Sequence, residues 1–568
     1  MTGRVLLMRR DIGVVLALLG LSLAPSAARA QIAARRTAPP DAIFTGRFIT
    51  LDSLRPRAEA IAVRGGVIVA IGSRAHVDST AGPSTRRVHL PGTLLPGFAD
   101  AHVHALYLGA LLGRADLHGI SKAETLQRMR AVARATPAGQ WINGDRWEES
   151  YWRPAAFPTA AELDSVTGDH PAVLSRIDGH ALWINSRAMR LAGITRATRD
   201  PSGGRIVHDE SGEPTGVLVD EAMELVTRVI PAPTPAEIER QLRAAFTQYL
   251  EWGLTSIHDA GQPASVIAVY RSLAARGAIP LRVYLMAAAP GPAFDEVLRR
   301  GPEVASGAGM LTIRSAKVVL DGALCSRGAE LTAPYSDAPE HRGLAIVSDS
   351  VLDSIIARAA ARGFQVNVHA IGDGATHRLL DAIERAGPAV RALRFRDEHS
   401  SMITDADLPR FRQLGVIASM QPTFVGEYSR FAEARVGPDR VRWVYRTRDV
   451  LESGAVVASG TDYPAADAGD PVSTLFSMVT RRGADGTPTA GWIPGQGVGI
   501  DAALRSMTSG AAYASFDEDR RGALTVGRVA DFTALSADPY LVAPDSLRSL
   551  RVLTTVVNGQ IRYRAPAP

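Results

Sequence analysis

The feature that most constrains the fold of this chain is a series of eight short apolar segments separated by stretches of helical length. Each segment has the length of a buried strand, and most of the intervening stretches are amphipathic. The segments are, in chain order, 98–104, 254–259, 282–286, 315–321, 364–369, 395–399, 416–421 and 456–462. Eight β-α units in succession predict a closed parallel barrel, an α/β fold of the TIM-like (β/α)8 type.

The gap after the first barrel segment is about 150 residues long, which is too long for a structureless loop inside a domain. We therefore predict that barrel strand 1 lies within residues 97–109, that residues 110–230 form an inserted subdomain, and that residues 231–515 complete the barrel. Short alternating segments with tight turns occupy both chain ends. They predict a small β-sandwich domain built from residues 31–96 and 516–568.

Residues 1–30 have the pattern of a secretory signal peptide. A basic start is followed by an uncharged apolar run over 12–24 and by small residues suited to cleavage at Ala28 and Ala30. The apolar run is short for a membrane span, so we expect no stable membrane anchor. The sequence therefore predicts a protein that is exported to the periplasm or secreted, and the export route stays open.

The charge and the cysteine content narrow the classes of partner. The formal net charge is +5, of which the four arginines and one aspartate of the leader supply +3, and no cluster of basic residues follows. This pattern argues against a nucleic-acid partner. Cys325 is the only cysteine in the sequence, so an exported protein of this kind has no internal disulfide. We expect a small-molecule substrate, and assembly into a homo-oligomer stays open.

Side chains that can bind a metal gather at the predicted carboxyl ends of the barrel strands, where barrel enzymes carry out their chemistry. The first strand ends in His102-Val103-His104, and residues two apart on a strand point to the same side. Strands four, five, six and eight each add one further group. The predicted ligands are His102, His104, Lys317, His369, His399 and Asp462.

Lysine is so rare in this chain that each one asks for an explanation. Of 63 basic residues only Lys122 and Lys317 are lysines, and Lys317 lies among valine and leucine in the fourth strand. A charged amine there is costly unless it is paired or modified, and arginine cannot be modified in the same way. A carbamate formed from Lys317 and carbon dioxide would remove the charge and supply two oxygens.

The donor set indicates the kind of metal. Ring nitrogens with a carboxylate favour zinc or a similar divalent ion. Six groups exceed one tetrahedral zinc and suggest two ions, which need a bridging ligand when they lie roughly 3.5–4 Å apart. The Lys317 carbamate suits that position, although a one-metal site stays open.

The sequence resembles the amidohydrolase superfamily, and more closely the branch of amidohydrolase family 3 that includes N-substituted formamide deformylase and the YtcJ-like proteins. The resemblance covers essentially the whole chain after the leader. The motifs that carry it are 58–63, 66–72, 96–104, 178–186, 317–322, 369–373 and 527–532.

This resemblance implies roles for the strand-end residues. The two histidines of the first strand would bind one ion together with Asp462, and His369 and His399 would bind a second. Carboxylated Lys317 would bridge the two ions. Asp462 would take a proton from the activated water and pass it to the leaving amine, as general base and then general acid.

Five further residues are predicted substrate contacts, each with a structural alternative. His180 lies in the insertion and is either a substrate contact or a loop histidine. Trp147 and Glu148 either shape the pocket or are a packed aromatic beside a solvated carboxylate. His258 ends the second strand and is expected to face the mouth of the barrel. Arg327 either binds an anionic substrate group or forms a surface salt bridge.

These observations lead to one prediction and two alternatives. We expect an exported, metal-dependent hydrolase of a non-peptide carbon–nitrogen bond, in an N-acyl or N-formyl amide. The first alternative is a hydrolase of the same fold that acts on a cyclic amide, a lactone or a phosphoester. The second is a metal-loaded binding protein without catalytic activity, although structural metal sites are usually closed.

Overall fold

The structure is a computed structural model that describes residues 38–149, 152–177, 179, 181–201 and 204–566. The predicted signal peptide and His180 lie outside these residues. In the described part of the chain, no helix combines the length and the apolar character that a membrane span requires.

The strands form three sheets. They are, in chain order, β1 (Ala42–Ile49), β2 (Arg57–Arg64), β3 (Val67–Gly72), β4 (Arg86–Pro96), β5 (Phe98–Val103), β6 (Ala115–Asp116), β7 (Ile142–Trp147), β8 (Ala172–Arg176), β9 (Ala181–Ile184), β10 (Gly204–His208), β11 (Pro214–Asp220), β12 (Leu254–Gln262), β13 (Arg282–Ala288), β14 (Glu303–Ala305), β15 (Leu311–Val319), β16 (Gln365–Ala370), β17 (Arg396–His399), β18 (Ile417–Met420), β19 (Val457–Ser459), β20 (Phe532–Leu535), β21 (Val552–Val557) and β22 (Gln560–Arg564).

Eight parallel strands form a nearly closed barrel in the order β5, β12, β13, β15, β16, β17, β18 and β19. The eight predicted segments coincide with these strands, and their ends differ by at most four residues. The last strand returns to the first, because the Asp462 N–H donates to the His102 carbonyl at 2.7 Å. The prediction of a TIM-like barrel is therefore confirmed.

Helices lie between the barrel strands and cover their outer side. In the described residues, the α-helices of six residues or more are Ala105–Leu112, Lys122–Ala135, Ala160–Thr167, Ser186–Ala192, Pro235–Glu251, Ala264–Ala275, Pro292–Arg300, Asp349–Ala360, Asp373–Ala386, Leu408–Leu414, Ala432–Arg440, Thr447–Glu452, Pro471–Thr480 and Ile500–Arg505.

The helix Pro235–Glu251 shows how the sequence determines these elements. The Thr234 side chain accepts the Glu237 N–H, and the Glu237 carboxylate accepts the Thr234 N–H at 2.8 Å, which is a capping box. Its buried residues, among them Leu242 and Phe246, recur every three or four positions and join the apolar core outside the barrel.

The second sheet lies within the predicted insertion. It has six strands in the order β10, β11, β9, β8, β7 and β6, between Ala115 and Asp220. Its three longer helices and an aromatic cluster around Trp147 give it an apolar core of its own. The insertion therefore follows the first barrel strand, and its limits at 110 and 230 stay predictions.

The third sheet joins the two ends of the chain. Its seven strands run in the order β22, β21, β20, β4, β1, β2 and β3, with β20 antiparallel to β4. Strands from residues 42–96 and 532–564 thus share one sheet. The predicted sandwich architecture and its domain limits stay predictions.

Candidate metal centre

The centre of the candidate site is the carboxylate of Asp462, which lies among three histidines. Its Oδ1 is 3.0 Å from His104 Nε2 and 3.6 Å from His102 Nε2, and its Oδ2 is 3.9 Å from His399 Nδ1. The donor atoms of His102, His399 and Asp462 all lie within 4.8 Å of one another. These distances are those of side chains that surround a common point.

The other two predicted ligands border the same point. The Lys317 Nζ is 3.4 Å from His102 Nε2, and the rings of His369 and His399 are 4.4 Å apart. The Nε2 of His369 is buried without a hydrogen-bond partner in the described structure. The structure thus brings all six predicted ligands together. The His369 Nε2 lies 3.6 Å from Asp321 Oδ1 without a hydrogen bond to it, and a buried ring nitrogen in this state suits a metal ligand.

The protonation states also fit metal binding. Burial, reinforced by the Lys317 charge, lowers the pKa of His369 to about 3, and the same two causes lower the pKa of His102. Burial and then the neighbouring His369 lower the pKa of His399 well below its usual range. The neutral imidazole is the form that binds metals, so these rings are available at neutral pH.

The carboxylate of Asp462 is ionised in this setting. Burial alone would raise its pKa, but the hydrogen bond from His104 opposes burial and holds the pKa well below its usual range. Burial lowers the pKa of the Lys317 amine, which favours the neutral form. The site therefore combines a negative carboxylate with neutral histidine nitrogens.

Two side chains that the sequence analysis did not assign hold the histidine rings. Glu398 Oε2 lies 2.6 Å from His102 Nδ1, and Gln421 Oε1 accepts a hydrogen bond from His399 Nδ1 at 2.9 Å. Metal-binding histidines usually make such a contact through the second ring nitrogen. The available signal was position, since Glu398 and Gln421 lie at the carboxyl ends of the sixth and seventh barrel segments.

A third unassigned residue, Asp100, joins the two edges of the barrel. Its Oδ1 accepts the N–H groups of His102 and Thr461 at 3.0 Å each, and its Oδ2 accepts the Thr461 hydroxyl at 2.7 Å. No Cβ could stand at Gly460, because it would lie 2.5 Å from the His102 nitrogen. This close approach sets the spacing between His102 and Asp462.

The backbone at the site is unusual. His399 and Asp462 have φ values of 83° and 60°, in the left-handed region that residues other than glycine rarely adopt. Strain of this kind persists where the surrounding structure enforces it, and it concentrates at functional sites. Here it turns both side chains toward the common point at the ends of their strands.

The structure shows the surroundings of Trp147 and Glu148, the two described residues of the insertion that were predicted as substrate contacts. Trp147 is fully buried, stacks on Trp152 at 5.7 Å and donates its Nε1–H to the Leu174 carbonyl, so it is a packed core residue. Glu148 beside it is partly buried. Trp147 faces this core because the register between β7 and β8 shifts at Arg146. The φ of 68° at Arg146 changes the direction of the following side chains.

Arg146 is the residue of this segment that interacts electrostatically with the barrel residue Tyr463. Its guanidinium bonds both oxygens of Asp116, at 3.0 and 2.9 Å. Burial raises the pKa of Tyr463, which follows Asp462, and the Arg146 charge opposes that rise. The two residues are thus electrostatic neighbours at the edge of the site. A bulge of this kind has no signal in the sequence pattern.

The structure also shows the surroundings of His258 and Arg327, the other two predicted substrate contacts. His258 does not end its strand, because β12 continues to Gln262. Its ring is fully buried, packs 5.3 Å from the Tyr284 ring, and lies inside the barrel, not at its mouth. Arg327 pairs with both oxygens of Asp337, at 3.1 and 2.9 Å, which is the salt bridge of the structural alternative.

A barrel that gathers histidines, a lysine and an aspartate at its strand ends is the architecture of metal-dependent hydrolases. Comparison with known proteins gives the family. The model of the amidohydrolase family matches residues 92–563, so the chain belongs to that family. The resemblance stated from the sequence is thereby confirmed.

Individual relatives match over almost the whole chain. The YtcJ protein of Bacillus subtilis (strain 168) is 33% identical over 533 residues, which are 92% of this chain and 99% of that protein. The N-substituted formamide deformylase of Arthrobacter pascens is 28% identical over 546 residues, which are 92% and 98% of the two chains.

Among solved structures, an uncharacterized metal-dependent hydrolase from Pyrococcus horikoshii OT3 has a TM-score of 0.75 and 26% identity. The match covers 89% of this chain and 99% of that one. The chain is a hydrolase of the metal-dependent amidohydrolase superfamily.

Proposed function

We propose that the protein hydrolyses a non-peptide carbon–nitrogen bond, in an N-acyl or N-formyl amide, after export to the periplasm or secretion. The observation that carries the reaction is the ionised Asp462 among histidine nitrogens at the barrel mouth. The relative named N-substituted formamide deformylase supports the substrate class. Export is supported by the pattern of residues 1–30.

The six strand-end residues would hold the metal, with zinc as the favoured ion and two ions as the favoured number. Lys317 would bridge the two ions as a carbamate, and its buried amine, held toward the neutral form, suits reaction with carbon dioxide. When bound, the metal supplies a Lewis acid that lowers the pKa of a coordinated water and polarises the scissile carbonyl.

The chain itself supplies the proton transfer and the orientation. Asp462, ionised by its surroundings, accepts a proton from the attacking water and delivers it to the nitrogen that leaves. His104 lies beside it with a third of its side chain exposed, which marks the side from which substrate reaches the carboxylate. His102 and His399 are buried and exclude solvent from the back of the site.

The test is hydrolysis by protein purified without chelator, with its metal content measured. We expect bound divalent metal and cleavage of N-formyl or N-acetyl amides, and Asp462→Asn should lower the rate about 100-fold or more because it removes the proton acceptor. Asp405→Asn, a substitution at a half-exposed carboxylate outside the site, is the matched control and should retain activity.

Three results would overturn the proposal. The first is wild-type protein without bound metal, and the second is full activity in Asp462→Asn. The third is a panel in which a lactone or a phosphoester is cleaved faster than every amide, which would favour a different bond.

A further inference from the structure

A buried chain of three polar residues runs from the inside of the barrel to the site. Arg396 and Glu398 lie two apart on β17, and Glu398 reaches across to His102 on β5. All three side chains are fully buried. Burying charged groups costs free energy unless each one is paired, so we expect this buried arrangement to have a role at the site.

The two oxygens of Glu398 face different neighbours, one through a short contact and one through an ion pair without a hydrogen bond. Oε2 lies 2.6 Å from His102 Nδ1, and Oε1 lies 3.5 Å from Arg396 Nη1. Arg396 is held in turn, since it donates to the carbonyls of Ala101 at 3.2 Å and Ala514 at 2.6 Å. Its guanidinium also stands 5.2 Å over the Tyr284 ring. The carboxylate thus lies between the His102 ring and the Arg396 guanidinium.

The short contact between Glu398 and His102 determines where the ring carries its proton. A distance of 2.6 Å between a ring nitrogen and a carboxylate oxygen requires a shared proton. A neutral imidazole has one N–H, and if that is at Nδ1, then Nε2 keeps its lone pair. Nε2 is the atom that faces Asp462 and Lys317, at 3.6 and 3.4 Å.

We propose that Glu398 is a positioning residue that fixes the tautomer and the ring orientation of His102, and that Arg396 holds Glu398 in place. The inference rests on the proposed metal centre. A carboxylate behind a histidine ligand raises its basicity, whereas His399 has only the neutral amide of Gln421 behind it. An ion at His102 would therefore be the more tightly bound of the two.

The experiment is a titration of metal-free protein with Zn²⁺ against a competing chelator. Glu398→Gln keeps the size of the side chain and removes its charge, and it should weaken the tightest zinc site about 10- to 100-fold. Asp397→Asn is the matched control, because Asp397 is the adjacent and equally buried carboxyl and contacts Thr376 instead. It should leave the zinc affinity unchanged.

A second measurement reads the ring of His102 in the wild-type protein and uses a variant only to assign its signal. In wild-type protein labelled with ¹⁵N-histidine, the ring shifts of His102 should show a protonated Nδ1 and an unprotonated Nε2, with the Nδ1 proton far downfield. His102→Gln assigns the signal by its loss. Circular dichroism checks the fold of each variant.

The outcomes separate this inference from the proposed function. Equal zinc affinity in Glu398→Gln and wild type, or a His102 ring protonated at Nε2, would overturn the positioning role. Zinc binding by wild type without any hydrolysis would overturn the proposed activity and leave the positioning role standing. If wild type binds no zinc, the proposed centre fails, and the ring shifts still decide the tautomer.

Discussion

A histidine buried without a hydrogen-bond partner makes the folded protein sensitive to acid, and His258 is in that position. Both ring nitrogens lack a partner in the described structure. Burial, and then the charges of Arg396 and Arg521, lower its pKa well below 6.5. His258 therefore binds a proton near pH 6.5 in the unfolded chain but stays neutral at that pH in the folded chain. The stability that His258 contributes above that pH is lost as the pH falls.

Replacing His258 should thus change how stability depends on pH. Each pH unit below 6.5 costs the wild type about 1.4 kcal/mol for this one group, so between pH 8 and pH 5 it should lose about 2 kcal/mol more than His258→Asn. Urea-induced unfolding of metal-free protein measures the difference. Tyr284→Phe alters a ring that packs against His258 and removes no group that titrates in this range, so its stability difference should stay constant. Parallel pH curves for wild type and His258→Asn would contradict the argument.

The residue scale also shows what the sequence could not reveal. The six predicted ligands were recognisable because each has an unusual side chain at the end of an apolar segment. The place of Arg146 at the edge of the site was not recognisable from the sequence, because a bulge in β7 decides the direction of its side chain. His258 was misplaced because β12 runs three residues beyond the predicted end at Asp259. Glu398 lies at the end of the sixth barrel segment, where site residues are expected. No motif showed whether it holds a metal ligand in place or takes part in catalysis.

At the scale of elements, the closure of the barrel depends on a contact that is not a strand ladder. β19 has three residues, and the segment after it meets β5 through the Asp100 carboxylate and the Asp462 N–H. Strand pattern alone predicted the eight strands and their order, since each one carries a buried apolar run. It could not predict this junction, because hydrogen bonds between distant residues leave no periodic signal.

Asp100→Ala should therefore loosen the junction. Three buried donors lose their acceptor, which should cost on the order of 3 kcal/mol and weaken zinc binding, since His102 and Asp462 lie on the two sides of the junction. Burial raises the pKa of Asp100 to about 7, so the neutral, protonated carboxyl is populated near neutral pH. Asn resembles that neutral form, so Asp100→Asn should lower the stability much less than Asp100→Ala. Urea unfolding and zinc titration measure both effects, and equal losses in the two variants would count against this account.

At the scale of the whole molecule, the two chain ends are tied to the barrel at the end opposite the metal centre. Both termini were recognisable as strand-rich from their alternating pattern, and the structure places them in one sheet. What the pattern could not show is how that sheet is fixed to the barrel. One buried contact is the ion pair between Arg282, at the start of β13, and Asp531, just before β20.

Asp531 is the residue to test at this scale, because it serves both parts of the molecule. Its oxygens lie 2.7 and 3.1 Å from the Arg282 guanidinium, and it also accepts the Asn558 N–H at 2.8 Å. Asp531→Ala leaves a buried guanidinium without its carboxylate, which should cost about 3–5 kcal/mol. The double variant Arg282→Met with Asp531→Leu removes both charges and should cost clearly less. Thermal and urea unfolding measure this, and a double variant as unstable as Asp531→Ala would mean that lost packing, and not the unpaired charge, holds the terminal sheet to the barrel.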